Sequence, residues 1–259
     1  MFATMSRRQI WQAIVIGLLA GVLAGMFGVG GGFLMVPLYI AWLGLEQRKS
    51  HATSLAAVVP IALAGAIGYA SQGSVDFKAG IALLAGSVFG ALYGVKLLGQ
   101  VPLKFLQIGF ASLLYLSALR LIWSSNPQQL LEGWASVTLL IAVGFFAGVM
   151  SGLFGVGGGI VMVPALIIAA GMNSIVARGT SLLVIVGSGL SGTWANFRKG
   201  NIEIPYALLS GFAGIPSTFL GVYLSHLVSQ RITVIMFAIL LLAIATQQVQ
   251  KARGGSAVH

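Results

Sequence analysis

Two short clusters hold the residues of this chain that are equipped to bind something. Gly30, Gly31 and Gly32 stand in a row within FGVGGGFLMVP at 27–37, and Gly157, Gly158 and Gly159 within FGVGGGIVMVP at 154–164. Nine of the eleven positions are identical, at an offset of 127 residues. Each stretch is followed by a polar island, His51-Ala52-Thr53-Ser54-Leu55 and, at the same offset, Arg178-Gly179-Thr180-Ser181-Leu182. The chemistry open to these residue types is non-covalent capture of an anion. A helix that restarts after glycines presents free N–H groups and the positive end of its dipole, which suits an oxyanion. Thr53, Ser54, Thr180 and Ser181 would add hydroxyl donors at further helix starts. His51 and Arg178, at matching positions on opposite sides, would each draw an anion into one half of a pathway. Plainer roles compete with each assignment: close helix packing for the glycines, N-capping for the Thr-Ser pairs, and a basic side chain reaching to headgroups for His51 and Arg178.

Other chemistries have little to rest on. The chain has four acidic residues, Glu46, Asp76, Glu132 and Glu203, and no cysteine. All four fall in breaks between apolar segments, not mid-segment where proton relays place them. There is no clustered set of metal ligands, no carboxylate pair and no nucleophile with a positioned base. No enzyme, metal or cofactor is therefore expected. A nucleotide phosphate loop would need Lys-Ser/Thr after the glycines and a parallel sheet behind them.

The elements that must position these residues are helices in a bilayer. Of the 259 residues, 58% are hydrophobic and 7% charged, far below the quarter or so of charged residues in soluble domains. The net charge of +10 comes from Lys and Arg scattered in the breaks, as topogenic charges at a membrane surface are, so nucleic-acid binding is not expected. Five apolar segments fill each half: near 10–26, 33–44, 52–70, 77–98 and 102–123, then near 133–151, 160–171, 179–197, 204–224 and 231–250. Runs near twenty residues span a bilayer as helices. The runs at 33–44 and 160–171 are too short to cross alone, so each is expected to form a hairpin with the preceding segment, the alternative being a pair of short helices that make full but thin crossings. The glycine tip of that hairpin would lie at membrane depth, where irregular backbone survives only when covered by protein or a wet cavity. Residues 124–132 read as a linker between halves 10–123 and 133–250, and 251–259 as a disordered tail.

Charge sets the orientation. With ten segments and a cytoplasmic N-terminus, ten Lys and Arg fall inside and four outside, in the sense of the positive-inside rule. Treating each glycine pair as one broken helix reduces this to eight against six. Both termini are then cytoplasmic, and five segments per half make the halves inverted repeats, a recurring transporter architecture with its site near the midplane. Trp194 and Asn196, late in the eighth segment, are candidates for pathway lining or an interfacial belt.

At the G-x-G-G-G-x-x-x-V-P motifs of Gly28–Pro37 and Gly155–Pro164, each followed by Thr-Ser-Leu, the sequence resembles the TauE/SafE family over about residues 11–250. The resemblance implies a bacterial inner-membrane transporter exporting sulfite or another sulfur-containing anion. It carries over Gly30–Gly32, Gly157–Gly159, Thr53, Ser54, Thr180 and Ser181 as site positions. His51 opposite Arg178 departs from a symmetric basic pair. The expected partners are a small anionic substrate and the lipid bilayer, with a homodimer left open. Thiosulfate, an organosulfonate or a small carboxylate, transport in either direction, a channel, and a non-transporting membrane subunit stay open as alternatives.

Overall fold

Glycine, not apolar periodicity, decides where the first helices stop. The computed structural model describes residues 5–97, parts of 108–119, and 134–254. Helix α1 (Arg7–Phe27) opens on a capping box, in which the Gln9 amide donates to Ser6 Oγ at 3.2 Å and the Ser6 amide to Gln9 Oε1 at 2.9 Å. It ends at Gly28, whose φ of 71° only glycine adopts cheaply. Helix α2 (Gly32–Leu43) starts after Gly31, at φ 75°, and stops at Gly44. Helices α3 (Gln47–Ala70) and α4 (Phe77–Leu97) follow. The second half supplies α5 (Trp134–Phe154), α6 (Gly159–Ala169), α7 (Ser174–Arg198), α8 (Ile204–Leu227) and α9 (Gln230–Gly254). Among the described residues all regular structure is helical, and seven helices are long and apolar enough to cross a membrane. The two exceptions, α2 and α6, have 12 and 11 residues, or roughly 18 Å of helix each.

Shifting α1 to α4 by 127 residues lands on α5 to α8 almost residue for residue. The packing repeats with the same offset, and reciprocally. Gly17, Gly21 and Gly25 of α1 lie on Ser210, Gly214 and Thr218 of α8; their copies Gly144, Gly148 and Gly152 lie on Leu83, Ser87 and Ala91 of α4. A contact whose partners exchange roles in this way is the mark of a two-fold. The ascending order of these contacts makes α1 parallel to α8, and α5 parallel to α4. Ile61 against Gly214 and Gly65 against Thr218 make α3 parallel to α8, whereas Leu55 against Gly192 and Val59 against Gly189 make α3 antiparallel to α7. Helices α1, α3 and α8 thus run one way, and α4, α5 and α7 the other. Small residues along these seams let backbones approach closely, which is how helices associate where lipid removes the hydrophobic drive.

Several boundaries differ from the sequence expectation. Helices α3 and α7 begin at Gln47 and Ser174, five residues before the expected starts near 52 and 179. The polar residues that suggested a break are simply their first turns, and Asn173 Oδ1 accepts the Ile175 amide at 2.9 Å to cap α7. The Thr-Ser pairs consequently lie in the second turn, not at helix starts. Residues 251–254, expected in a disordered tail, belong to α9, which continues to Gly254, because Lys, Ala and Arg are good helix formers and cations suit a helix C-terminus; 255–259 lie outside the described residues. The linker 124–132 and most of the fifth segment lie outside the described residues.

Candidate functional site

The two glycine tips meet in the interior. The backbone of Gly32 faces Gly155 and Val156 of the other tip, and Gly159 faces Gly28 and Val29 in the copy of that contact. Gly30 and Gly157 both lie against the same two side chains, Val58 and Ile185, which are themselves copies and fully buried. All of Gly28–Gly32 and Gly155–Gly159 is buried. Gly28, Gly30, Gly31, Gly155, Gly157 and Gly158 have positive φ, so the chain reverses through conformations that side chains resist. A plain packing role does not require this run of left-handed residues.

Some of the carbonyls at the tips are answered: His51 Nδ1–H donates to Phe154 O at 2.6 Å, Tyr69 Oη lies 2.7 Å from Gly25 O, and Ser54 Oγ lies 3.0 Å from Gly155 O and 3.3 Å from Gly32 O. The amides are not. None of the hydrogen bonds among the described residues uses the N–H of Gly30, Gly31, Gly32, Gly157, Gly158 or Gly159. Gly31 O and Gly158 O instead accept from the first turns of α2 and α6. Six buried amides at two helix N-termini form a donor-rich centre, and an acceptor-rich guest is what such a centre lacks.

The hydroxyl residues divide into two kinds. Thr53 Oγ1 accepts the Glu203 amide at 3.0 Å and Thr180 Oγ1 accepts the Asp76 amide at 2.9 Å. Each threonine thereby fastens the start of α8 or α4 from a neighbouring helix, which places it beside the tips but occupied elsewhere. Ser54 bridges the tips, whereas its copy Ser181 is fully buried with no hydrogen-bond partner.

The basic residues stand behind the tips, each against the other half's glycine. Arg178 packs on Gly28, and a Cβ there would fall 2.6 Å from Arg178 Cα; His51 packs on Gly155 in the same way. His51 is 8% exposed and Arg178 1%, so neither reaches toward headgroups. Arg178 Nη2 donates to Ser174 Oγ at 2.6 Å. Trp194 is 62% exposed on the outer surface and does not line the site, while Asn196 is buried and donates to Gly192 O at 3.0 Å. Sequence reasoning missed Tyr69, which interacts with Arg178, and Ser225 and His226, which gather around Tyr69. No local motif marks them, since Tyr69 ends α3 and the other two end α8.

Comparison with known proteins agrees with this architecture. The sequence matches the family described as Sulfite exporter TauE/SafE over residues 2–121 and 140–258. It is 24% identical over 243 residues to a Bacillus subtilis protein named "Probable membrane transporter protein YunE", covering 84% of this chain and 88% of that one. It is 27% identical to a protein of Methanocaldococcus jannaschii bearing the same general name, over 88% and 91% of the two chains. A Xylella fastidiosa protein, likewise named a probable membrane transporter, is 28% identical over 91% of this chain and 95% of its own.

Proposed function

The chain belongs to the TauE/SafE family of membrane transporters, and on that premise we propose that it exports a small sulfur-containing anion, with sulfite as the expected substrate. The observation that carries this reading is the set of six buried amides at the facing tips, which have no acceptor among the described residues and stand at the N-terminal ends of α2 and α6. An oxyanion would find Gly30–Gly32, Gly157–Gly159, Ser54 and Ser181, at the positive ends of α2 and α6. Thr53 and Thr180 act on this site at one remove, by holding α8 and α4.

The mechanism we propose is alternating access. The halves act as inverted repeats with their two-fold in the membrane plane, a reading supported by copies that run in opposite directions. With the tips in contact and Val58 and Ile185 filling the space beside them, access requires the tips to part, first toward one face and then toward the other. The chain sits in the bacterial inner membrane with its termini in the cytoplasm, as the distribution of basic residues supports. An inside-negative potential then favours outward movement of one negative charge by about 2.3 kcal/mol per 100 mV.

Purified protein in proteoliposomes loaded with sulfite tests this directly. Sulfite efflux and an accompanying current are expected, weakened by Gly31→Ala or Gly158→Ala. Parallel loading with thiosulfate, an organosulfonate and acetate separates the anion classes. If protein shown to be monodisperse and folded moves none of them, the transport reading fails.

A further inference from the structure

We infer that the protein binds an anion at a second, one-sided station where Arg178 meets Tyr69, against whose ring His226 packs, a proposal that rests on the anion-transport reading above. Arg178 lies in the second turn of α7 with 1% of its surface exposed. Ser174 answers one guanidinium nitrogen, but Nε and Nη1 have no acceptor. No carboxylate compensates it: Asp76, which begins α4 nearby, receives the Ala79 amide at 3.0 Å, and the Lys49–Glu203 ion pair lies at the opposite end of α3 and α8. A buried cation with two unanswered nitrogens in a chain this apolar is costly unless an anion joins it.

The surroundings narrow the guest. Tyr69, which interacts with Arg178, has its Oη 2.7 Å from Gly25 O and 2.7 Å from Ser225 Oγ. The His226 ring tilts against the Tyr69 ring at 5.6 Å between centroids. His226 Nδ1–H donates to Val222 O at 2.9 Å, which leaves Nε2 buried with a free lone pair. A small oxyanion that still carries a proton offers acceptors to the guanidinium and a donor to that imidazole. Among the described residues the other half has no such cluster. The copy of Arg178 is His51, whose Nδ1 serves Phe154 O, and the copy of Tyr69 is Asn196, which serves Gly192 O. Since Arg178 also backs Gly28, an anion held here waits beside the first tip, at the face where α7 begins.

The test uses the full chain in nanodiscs, in gluconate buffer, with sodium sulfite, thiosulfate and acetate as probes, and flux in oriented proteoliposomes. Sulfite or thiosulfate is expected to raise the unfolding temperature of the wild type. In Arg178→Gln the baseline unfolding temperature rises, because an unpaired buried charge has gone, and apparent affinity falls about ten-fold, the scale of a charge-assisted hydrogen bond. The same variant raises KM for anion offered at the α7-start face and leaves KM at the opposite face unchanged. If no probe stabilises the wild type, or if Arg178→Gln alters neither affinity nor either KM, the station is disproved while wild-type flux leaves the transport reading standing. If the wild type moves no anion yet shows Arg178-dependent stabilisation, the transport reading fails and the station stands. Should Arg178→Gln not fold, His226→Ala is read in the same assays: weaker binding supports the station and unchanged binding overturns it.

Discussion

Gly159 lies against Gly28 so closely that a Cβ built on it would fall 2.6 Å from the Gly28 carbonyl oxygen and 2.7 Å from Val29 Cα. The copy of this contact, Gly32 against Gly155, has the same form. The centre of the molecule is therefore a backbone-to-backbone joint. Apart from Ser54, which bridges it, and the flanking Val58 and Ile185, it is built from main chain.

A methyl group at this joint meets backbone that cannot yield. Gly159→Ala is expected to lower stability by about 1–3 kcal/mol, the scale of overpacking, and to abolish flux. Gly44→Ala is the control: it has φ 66° but nothing within 4 Å of the added Cβ, so it incurs only the left-handed backbone cost of roughly 1 kcal/mol. Thermal unfolding in nanodiscs with flux on the same preparations checks the pair. Wild-type behaviour of Gly159→Ala would show that the tips are not a tight joint.

Ser54 and Ser181 are copies with different work. Ser54→Ala removes the hydroxyl 3.0 Å from Gly155 O and should reduce stability by about 1 kcal/mol. Ser181→Ala removes a hydroxyl with no protein partner, so the unfolding temperature should hold or rise. If Ser181 donates to the transported anion, KM rises in Ser181→Ala all the same. A variant unchanged in both measurements would take Ser181 out of the site.

Much of this was legible in the sequence because the duplication is. Glycine triplets, short helices and the 127-residue offset are local features, and they marked the tips. The hydroxyl assignments were only half legible. Thr53 and Ser54 are adjacent, so they point in different directions from α3, and sequence alone could not say which one faces the tips. The polar first turns of α3 and α7 were misplaced as loops, since helix ends carry the same residues as breaks. Tyr69 and His226 were invisible for a different reason: 157 positions apart in the chain, they are brought together by packing alone.

Thr53 and Thr180 are expected to matter for stability before function. Each accepts the amide that opens a neighbouring helix, at Glu203 and Asp76. Thr53→Val and Thr180→Val keep the shape and remove the acceptor, at about 1 kcal/mol each, the value of a lost cap. Thr→Ser at either position should restore most of it. Anion preference, measured by competition in the flux assay, should stay as in the wild type. A changed preference would move the threonines into the binding site.

The seams α1–α8 and α4–α5 are copies, which makes their response to substitution testable as a pair. A Cβ on Gly21 meets both the Ser217 hydroxyl and the Gly214 backbone, whereas a Cβ on Gly148 meets only backbone, at Ser87 and Ala91. Gly21→Ala and Gly148→Ala should each destabilise by about 1–3 kcal/mol. Combined, they should add to within about 0.5 kcal/mol, since the two seams share no residue. Trimming separates them. Ser217→Gly removes part of the obstruction and should partly rescue Gly21→Ala; Ser87→Gly leaves the backbone in place and should not rescue Gly148→Ala. Unfolding free energies of the four single and three double variants decide it, and equal rescue on both seams would contradict the close backbone contact of α4 with α5.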